Sequence, residues 1–134
     1  MNADVRQRKV IYICAPYRAK LHCQIHCNIF AAWRLAADVW AAGFTALCPH
    51  ANSAHMDERV PDRAFLDGSL ELLRRCDAAI VARVVDPLNP DHVVISDGMA
   101  KEIEEAERLS LPVVHSVNEL WELFSGEPEE EATT

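Results

Sequence analysis

What most constrains this chain is the order of its patterned segments, which switches repeatedly between short β-branched runs and longer stretches with helical spacing. Val10-Ile11-Tyr12-Ile13-Cys14 is a short apolar run closed off by Pro16 and reads as a buried strand. Leu21 to Ala42 follows with Ile25, Ile29, Trp33, Ala36 and Trp40 at helical intervals, and Gly43 supplies its C-terminal stop. Phe44 to Cys48 is a second strand, and Pro49 to Val60 reads as a polar loop. Pro61-Asp62 opens a helix with Phe65, Ser69, Leu72, Leu73 and Cys76 on one side. Ala78 to Val85 is a third strand, and Asp86 to Ile95 is a loop holding Pro87 and Pro90. Ser96 opens the next helix, Leu111 to Ser116 is a fourth strand, and Asn118 caps a last short helix through Phe124.

Parallel neighbours need crossover connections, so strict β-α alternation predicts a parallel sheet covered on both faces by helices. The expected fold is a single-domain α/β, Rossmann-like (flavodoxin-like) architecture spanning residues 1–126, with the glutamate-rich 127–134 as an acidic, disordered tail. A length of 134 residues suits one core and not two. Ligands of such sheets bind outside the carboxyl ends of the strands, which directs attention to the segments 15–20, 49–60 and 86–98. The net charge of -8 disfavours a nucleic-acid polymer or an anionic membrane as partner, and no apolar run approaches the ~20 residues of a membrane span. The polar start Met1 to Lys9 lacks a signal-peptide core, so a cytoplasmic location is expected. Five cysteines, an odd number, then read as reduced thiols, with Cys14, Cys48 and Cys76 acting as small hydrophobes.

On a helix of ~100° per residue, Met99, Ile103, Ala106 and Ser110 form one stripe, and Lys101, Glu104 and Arg108 fall on the opposite face. Glu102 sits about 60° from the stripe's centre and is therefore the carboxylate of this helix expected to point inward. Ser96 is an N-cap type whose hydroxyl, with the amides of Gly98 and Met99, can bind an anion; a capping serine with a half-buried glutamate is the plainer alternative. Glu102 lies some 9 Å further along the axis, a separation that suits a nucleoside 5'-phosphate. Tyr17 can stack on a base or hold a sugar and Arg18 can meet phosphate, unless the segment is simply a surface turn. His50, Asn52 and His55 can donate to a base or sugar hydroxyl, or merely form a polar loop, and Asp57-Glu58 is expected to face solvent. His22, Cys23, His26 and Cys27 have chelating spacing along a helix but do not enclose a tetrahedral ion, so no metal is expected. No glycine-rich dinucleotide fingerprint or Walker loop is present, and no cofactor is expected.

Together, the opening Val-Ile-Tyr-Ile-Cys-Ala-Pro-Tyr, the central Cys76-Asp77-Ala78-Ala79-Ile80-Val81, and Ser96-Asp97-Gly98-Met99-x-x-Glu102-Ile103-x-x-Ala106 before Leu111-Pro112-Val113 resemble the nucleoside 2-deoxyribosyltransferase-like superfamily. The resemblance covers most of residues 9–117. It looks closest to small DUF4406-like members of uncharacterised function and near to the 2'-deoxynucleoside 5'-phosphate N-hydrolases. It implies that Glu102 is the nucleophile toward C1' of a deoxyribosyl group, giving a covalent glycosyl intermediate that water or a second base resolves. It further implies Tyr12, Ala15, Tyr17, Arg18, His50, Ser96, Gly98 and Met99 as substrate-binding residues, and a homo-oligomer, dimer or higher.

Six positions before the nucleophile, nucleoside transferases of that superfamily carry an aspartate, and phosphate-dependent hydrolases a serine. Ser96 therefore implies a nucleotide over a nucleoside. Both branches carry a catalytic aspartate eight residues before the position of Asp77; here that residue is Ser69, with Asp67 two residues away and ~200° around the helix. The expected activity is N-glycosidic bond cleavage or base exchange on a (deoxy)nucleoside 5'-monophosphate. The alternative is a nucleotide-binding sensor or sponge with weak or no turnover.

Overall fold

The computed structural model describes residues 8–54, 56 and 58–125. The four predicted strands are present as β1 (Val10–Cys14), β2 (Thr45–Leu47), β3 (Ala78–Val81) and, after a hairpin, β6 (Val113–Val114). They form one parallel sheet in the order β2-β1-β3-β6. The chain moves to one side of β1 and then crosses back to the other, so the direction of winding reverses between β1 and β3. That reversal opens a crevice at the carboxyl ends of these two strands.

Alternation along β1 and β3 sorts the core into two layers. Ile11, Ile13, Ala78 and Ile80 face α1 (His22–Ala41) and α5 (Val117–Ser125), meeting Ala32, Val39 and Leu120. Tyr12, Cys14 and Ala79 face the other way, toward α3 (Asp62–Leu73) and α4 (Asp97–Arg108), meeting Leu73, Met99 and Ala106. The start of β3 is locked onto β1 from both directions: Val10 N–H donates to Asp77 Oδ2 at 2.8 Å, and Asp77 N–H donates to the Val10 carbonyl at 2.8 Å.

The parallel α/β class expected from the alternation is what the molecule adopts, and several details differ. The segment read as a polar loop begins with a short helix, α2 (Pro49–Ser53), whose first residue is a proline suited to a helix start. His55 and Asp57 lie outside the described residues, as does the predicted tail 127–134. The third strand ends at Val81 rather than Val85, and the supposed loop after it is an antiparallel hairpin of β4 (Val85–Asp86) and β5 (Asn89–Val93). Its prolines are compatible because Pro87 sits in the two-residue turn and Pro90 lies in a strand with a single neighbour. Ser116, not Asn118, caps α5: its Oγ accepts from Glu119 N–H at 3.2 Å, while Glu119 reaches back to accept from His115 N–H at 2.9 Å.

The inner face of α1 also differs from the expected one. Asn28, Ile29, Ala32, Ala36 and Val39 are buried, whereas Trp33 and Trp40 are 43% and 50% exposed. Gly43 ends α1 as expected, with φ of 98° and the paired bonds of a Schellman motif, Gly43 N–H to Trp40 and Phe44 N–H to Val39. Helix α4 ends in the same motif, but the left-handed position is Ser110, at φ 58°. Ser110 therefore lies beyond the helix and is exposed, and it drops out of the stripe formed by Met99, Ile103 and Ala106.

Candidate active site

Glu102 is held by two residues of β1. Tyr12 donates its hydroxyl to Glu102 Oε2 at 2.5 Å, and the Cys14 thiol lies 3.3 Å from Oε1. Both donors project from the α3/α4 side of β1 because they are two residues apart on a strand, and α4 brings Glu102 to them about one and a half turns after its N-terminus. Burial pushes the Glu102 carboxyl up to about 7, and the hydrogen bonds from Tyr12 and Cys14 hold it back from rising further. Burial, then the neighbouring carboxylate, raises both Tyr12 and Cys14, so both remain protonated donors. Ser69 of α3 stands near the Tyr12 phenol and counters part of that rise.

Above this carboxylate opens a cleft of about 970 Å³ at the crevice between β1 and β3. Ala15, Tyr17, Arg18, His50, Asp67, Ser96, Gly98, Met99 and Glu102 all line it, so most of the residues singled out in the sequence converge on one space. Tyr12 is fully buried and reaches the site only through Glu102, and Ser69 is not among the residues that line the cleft. Asp67 stands on the cleft wall in an exposed i,i+4 pair with Arg63 at 3.7 Å, and no hydrogen bond to Glu102 is made from it. Met99 contributes mainly backbone: its side chain is core, and its carbonyl lies 3.8 Å from the Cys14 sulfur. Lys101, assigned to the outer face, reaches the cleft's edge.

The helix start expected to bind an anion is built differently from the expectation in one respect. Ser96 Oγ accepts from Met99 N–H at 3.2 Å, so that amide is already used. The Ser96 hydroxyl proton and the amides of Asp97 and Gly98 are what the first turn can offer an anion. A Cβ placed on Gly98 would meet nothing within 4 Å, which means the space in front of it is open cleft. Arg18 is engaged by Asp62 at 2.5 Å and lies 5.3 Å from the Tyr17 ring centre. A phosphate drawing on Arg18 therefore competes with a carboxylate. The cleft carries four cationic side chains, Arg18, Lys20, Arg63 and Lys101, against four acidic ones, Asp62, Asp67, Asp97 and Glu102, on a chain of net charge -8.

His50 is buried, and its Nε2–H donates to the Pro16 carbonyl at 2.9 Å, a tautomer required because a carbonyl can only accept. Burial lowers its pKa, which keeps the ring neutral. Its edge meets the Tyr17 ring at 5.3 Å, so His50 braces the aromatic wall of the cleft. Asn28 braces the same loop from behind: fully buried, it donates from Nδ2 to the Tyr17 carbonyl at 3.1 Å and accepts from Gln24 Nε2 at 3.0 Å. Sequence reasoning passed over Asn28 and treated Cys14 as a simple hydrophobe. An asparagine at a position on the buried side of an amphipathic helix was the available signal, since a buried amide demands partners. Asn52 lies in α2 and is exposed, outside the cleft lining. Among the described residues no group of histidine, cysteine, aspartate and glutamate has the geometry to hold a metal, and no helix is long and apolar enough to cross a membrane.

Residues 9–116 match the model of a domain of unknown function, DUF7768, which does not identify a subfamily. Among solved structures, the fold is similar to that of the 2-deoxyribosyltransferase from the psychrotolerant bacterium Bacillus psychrosaccharolyticus, with a TM-score of 0.52 and 17% identity over 80% of this chain and 72% of that one. No curated protein matches in sequence.

Proposed function

Since the chain belongs to the DUF7768 family, we propose from its site that it cleaves or exchanges the N-glycosidic bond of a (deoxy)nucleoside 5'-monophosphate through a covalent intermediate on Glu102. The observation that carries this reading is the buried carboxylate of Glu102, fixed by Tyr12 and Cys14 at the floor of an open cleft beside a helix start. The similarity of the fold to that of a 2-deoxyribosyltransferase supports it.

In the proposed step Glu102 attacks C1'. A C1'–oxygen bond forms as the C1'–N bond breaks, and the base leaves with the bonding pair and takes up a proton. Water, or a second base, then displaces the carboxylate. Only ionised Glu102 attacks, and the positive end of α4 favours that form. Tyr12 and Cys14 restrain both carboxylate oxygens and so limit the orientations available for attack. Ser96, with the Asp97 and Gly98 amides, holds the 5'-phosphate; Tyr17, braced by His50 and Asn28, packs on the base or sugar. A cytoplasmic location and self-association belong to the same reading.

Incubating the protein with the common mononucleotides and resolving free base by chromatography tests the proposal. Release by wild type that disappears in Glu102→Ala is expected; no release, or equal release by the variant, overturns it. A second reading, nucleotide binding without turnover, is favoured by one observation. Ser69 places a hydroxyl, not a carboxylate, against Tyr12. Under that reading calorimetry detects mononucleotide binding with no product, and Glu102→Gln leaves the affinity unchanged.

A further inference from the structure

Helix α1 has two apolar stripes, and only one of them is used by the core. Ile29, Ala32, Ala36 and Val39 are buried on the inner side. On the outer side, His26, Phe30, Trp33, Ala37 and Trp40 follow one another at intervals of four, three, four and three residues, the spacing of a coiled-coil seam. Phe30 is 60% exposed, Trp33 43% and Trp40 50%. Large aromatic side chains are mostly buried in folded proteins, so a row of three along one helix face is an apolar patch that calls for a partner. A depression of about 340 Å³ lies in it, between His26, Phe30 and Trp33.

The stripe is complementary to itself. Place a two-fold axis perpendicular to α1, midway between Trp33 and Ala37, and lay a second copy antiparallel across it. Phe30 then opposes Trp40 of the second copy, and Trp33 opposes Ala37, so that bulk meets a small residue on each side of the axis. The area fits a reversible dimer. A half-exposed aromatic contributes roughly 100 Å², so six of them give about 600 Å², and flanking residues bring the total to about 1,000 Å², near the lower limit for a specific interface.

We propose that the outer face of α1 is a homodimer interface, formed by antiparallel pairing of α1 with α1 of a second copy through Phe30, Trp33, Ala37 and Trp40. This gives a surface to the self-association in the functional reading. It does not depend on glycosidic chemistry, because the face lies on the layer opposite Glu102 and association is measured separately from turnover.

Sedimentation velocity on the full chain between roughly 1 and 100 µM tests it. A concentration-dependent monomer–dimer equilibrium is expected, tightening with added salt because two copies of net charge -8 repel each other. Phe30→Glu, at an exposed position, weakens association at least about tenfold while circular dichroism is unchanged. The register is tested by exchange. Trp33→Ala leaves a void and Ala37→Trp brings two tryptophans together, so each weakens the dimer several-fold. The double exchange Trp33→Ala/Ala37→Trp restores large-against-small packing and recovers it. A wild type that stays monomeric to about 100 µM overturns the proposal and assigns the face to a different partner. A dimer unaffected by Phe30→Glu overturns it as well. Should Phe30→Glu fail to fold, the exchange series still decides.

Discussion

At the scale of single residues, Glu102 governs how the site responds to pH. Its pKa of about 7 places its ionisation near neutrality, so under the proposed mechanism kcat/KM for base release is expected to rise with pH and level off above about 7. Tyr12→Phe removes a hydrogen bond that favours the ionised form, and the acidic limb of the profile is expected to move upward by about 1 to 2 on the pH scale. The same burial bears on stability. The folded value lies above the unfolded one of 4.5, so the folded state binds more protons in the interval between them. Stability therefore falls as pH climbs from about 4.5 to 7, and stays reduced above that. Glu102→Gln, which keeps the shape without the charge, is expected to be more stable than wild type by roughly 3 kcal/mol at pH 8 and about equal at pH 4. Thermal melts at the two pH values check this. Ser69 carries a further expectation: if a carboxylate next to Tyr12 is what turnover lacks, Ser69→Asp raises the rate of base release by about tenfold or more.

At the scale of elements, the two Schellman endings invite comparison. Gly43 occupies the left-handed position at no steric cost, whereas Ser110 occupies it at φ 58° with a Cβ. Ser110→Gly is expected to stabilise by about 1 kcal/mol, raising the melting temperature by a few degrees. What was legible in the sequence at this scale was set by periodicity. The inward direction of Glu102 followed from its angle to Met99 and Ala106, since α4 has charged residues on every other side. In α1 the same method mixed two faces: Ile29 and Ala36 are buried, but Trp33 and Trp40 are not, because tryptophans at helical spacing look like core. The helix carries two apolar stripes, and only the sheet's shape selects Ala32 and Val39 over Trp33 and Trp40. The β4–β5 hairpin was hidden by Pro87 and Pro90, which usually mark loops, and nothing local announces that Val85 and Val93 will pair.

At the scale of the whole molecule, the cleft draws on both layers. Glu102 and Ser96 come from α4 on one face of the sheet, while the loop bearing Tyr17 is anchored to Asn28 of α1 on the other. No segment holds the site alone, which is why the sequence could nominate its members but not the bonds between them. The Cys14–Glu102 and Tyr12–Glu102 contacts join residues 88 and 90 positions apart. Asn28→Ala removes the amide that donates to the Tyr17 carbonyl and is expected to cost about 1 to 3 kcal/mol and, under the proposed function, to raise the nucleotide Kd while leaving the pH dependence of turnover in place. Denaturant titration and calorimetry check the two parts.

The hairpin has one more consequence. Val94 N–H donates to the Val84 carbonyl at 2.7 Å, so the chain leaves β3 and returns beside its own point of departure before Ser96 begins α4. The excursion is closed at its base, and its tip, Leu88, is 92% exposed. Lengthening a closed loop costs little, about 0.6 kcal/mol per doubling, and leaves the anchored base where it was. Residues 87–88 thus form a port into which a peptide tag or fluorophore can be spliced without displacing the helix that carries Glu102.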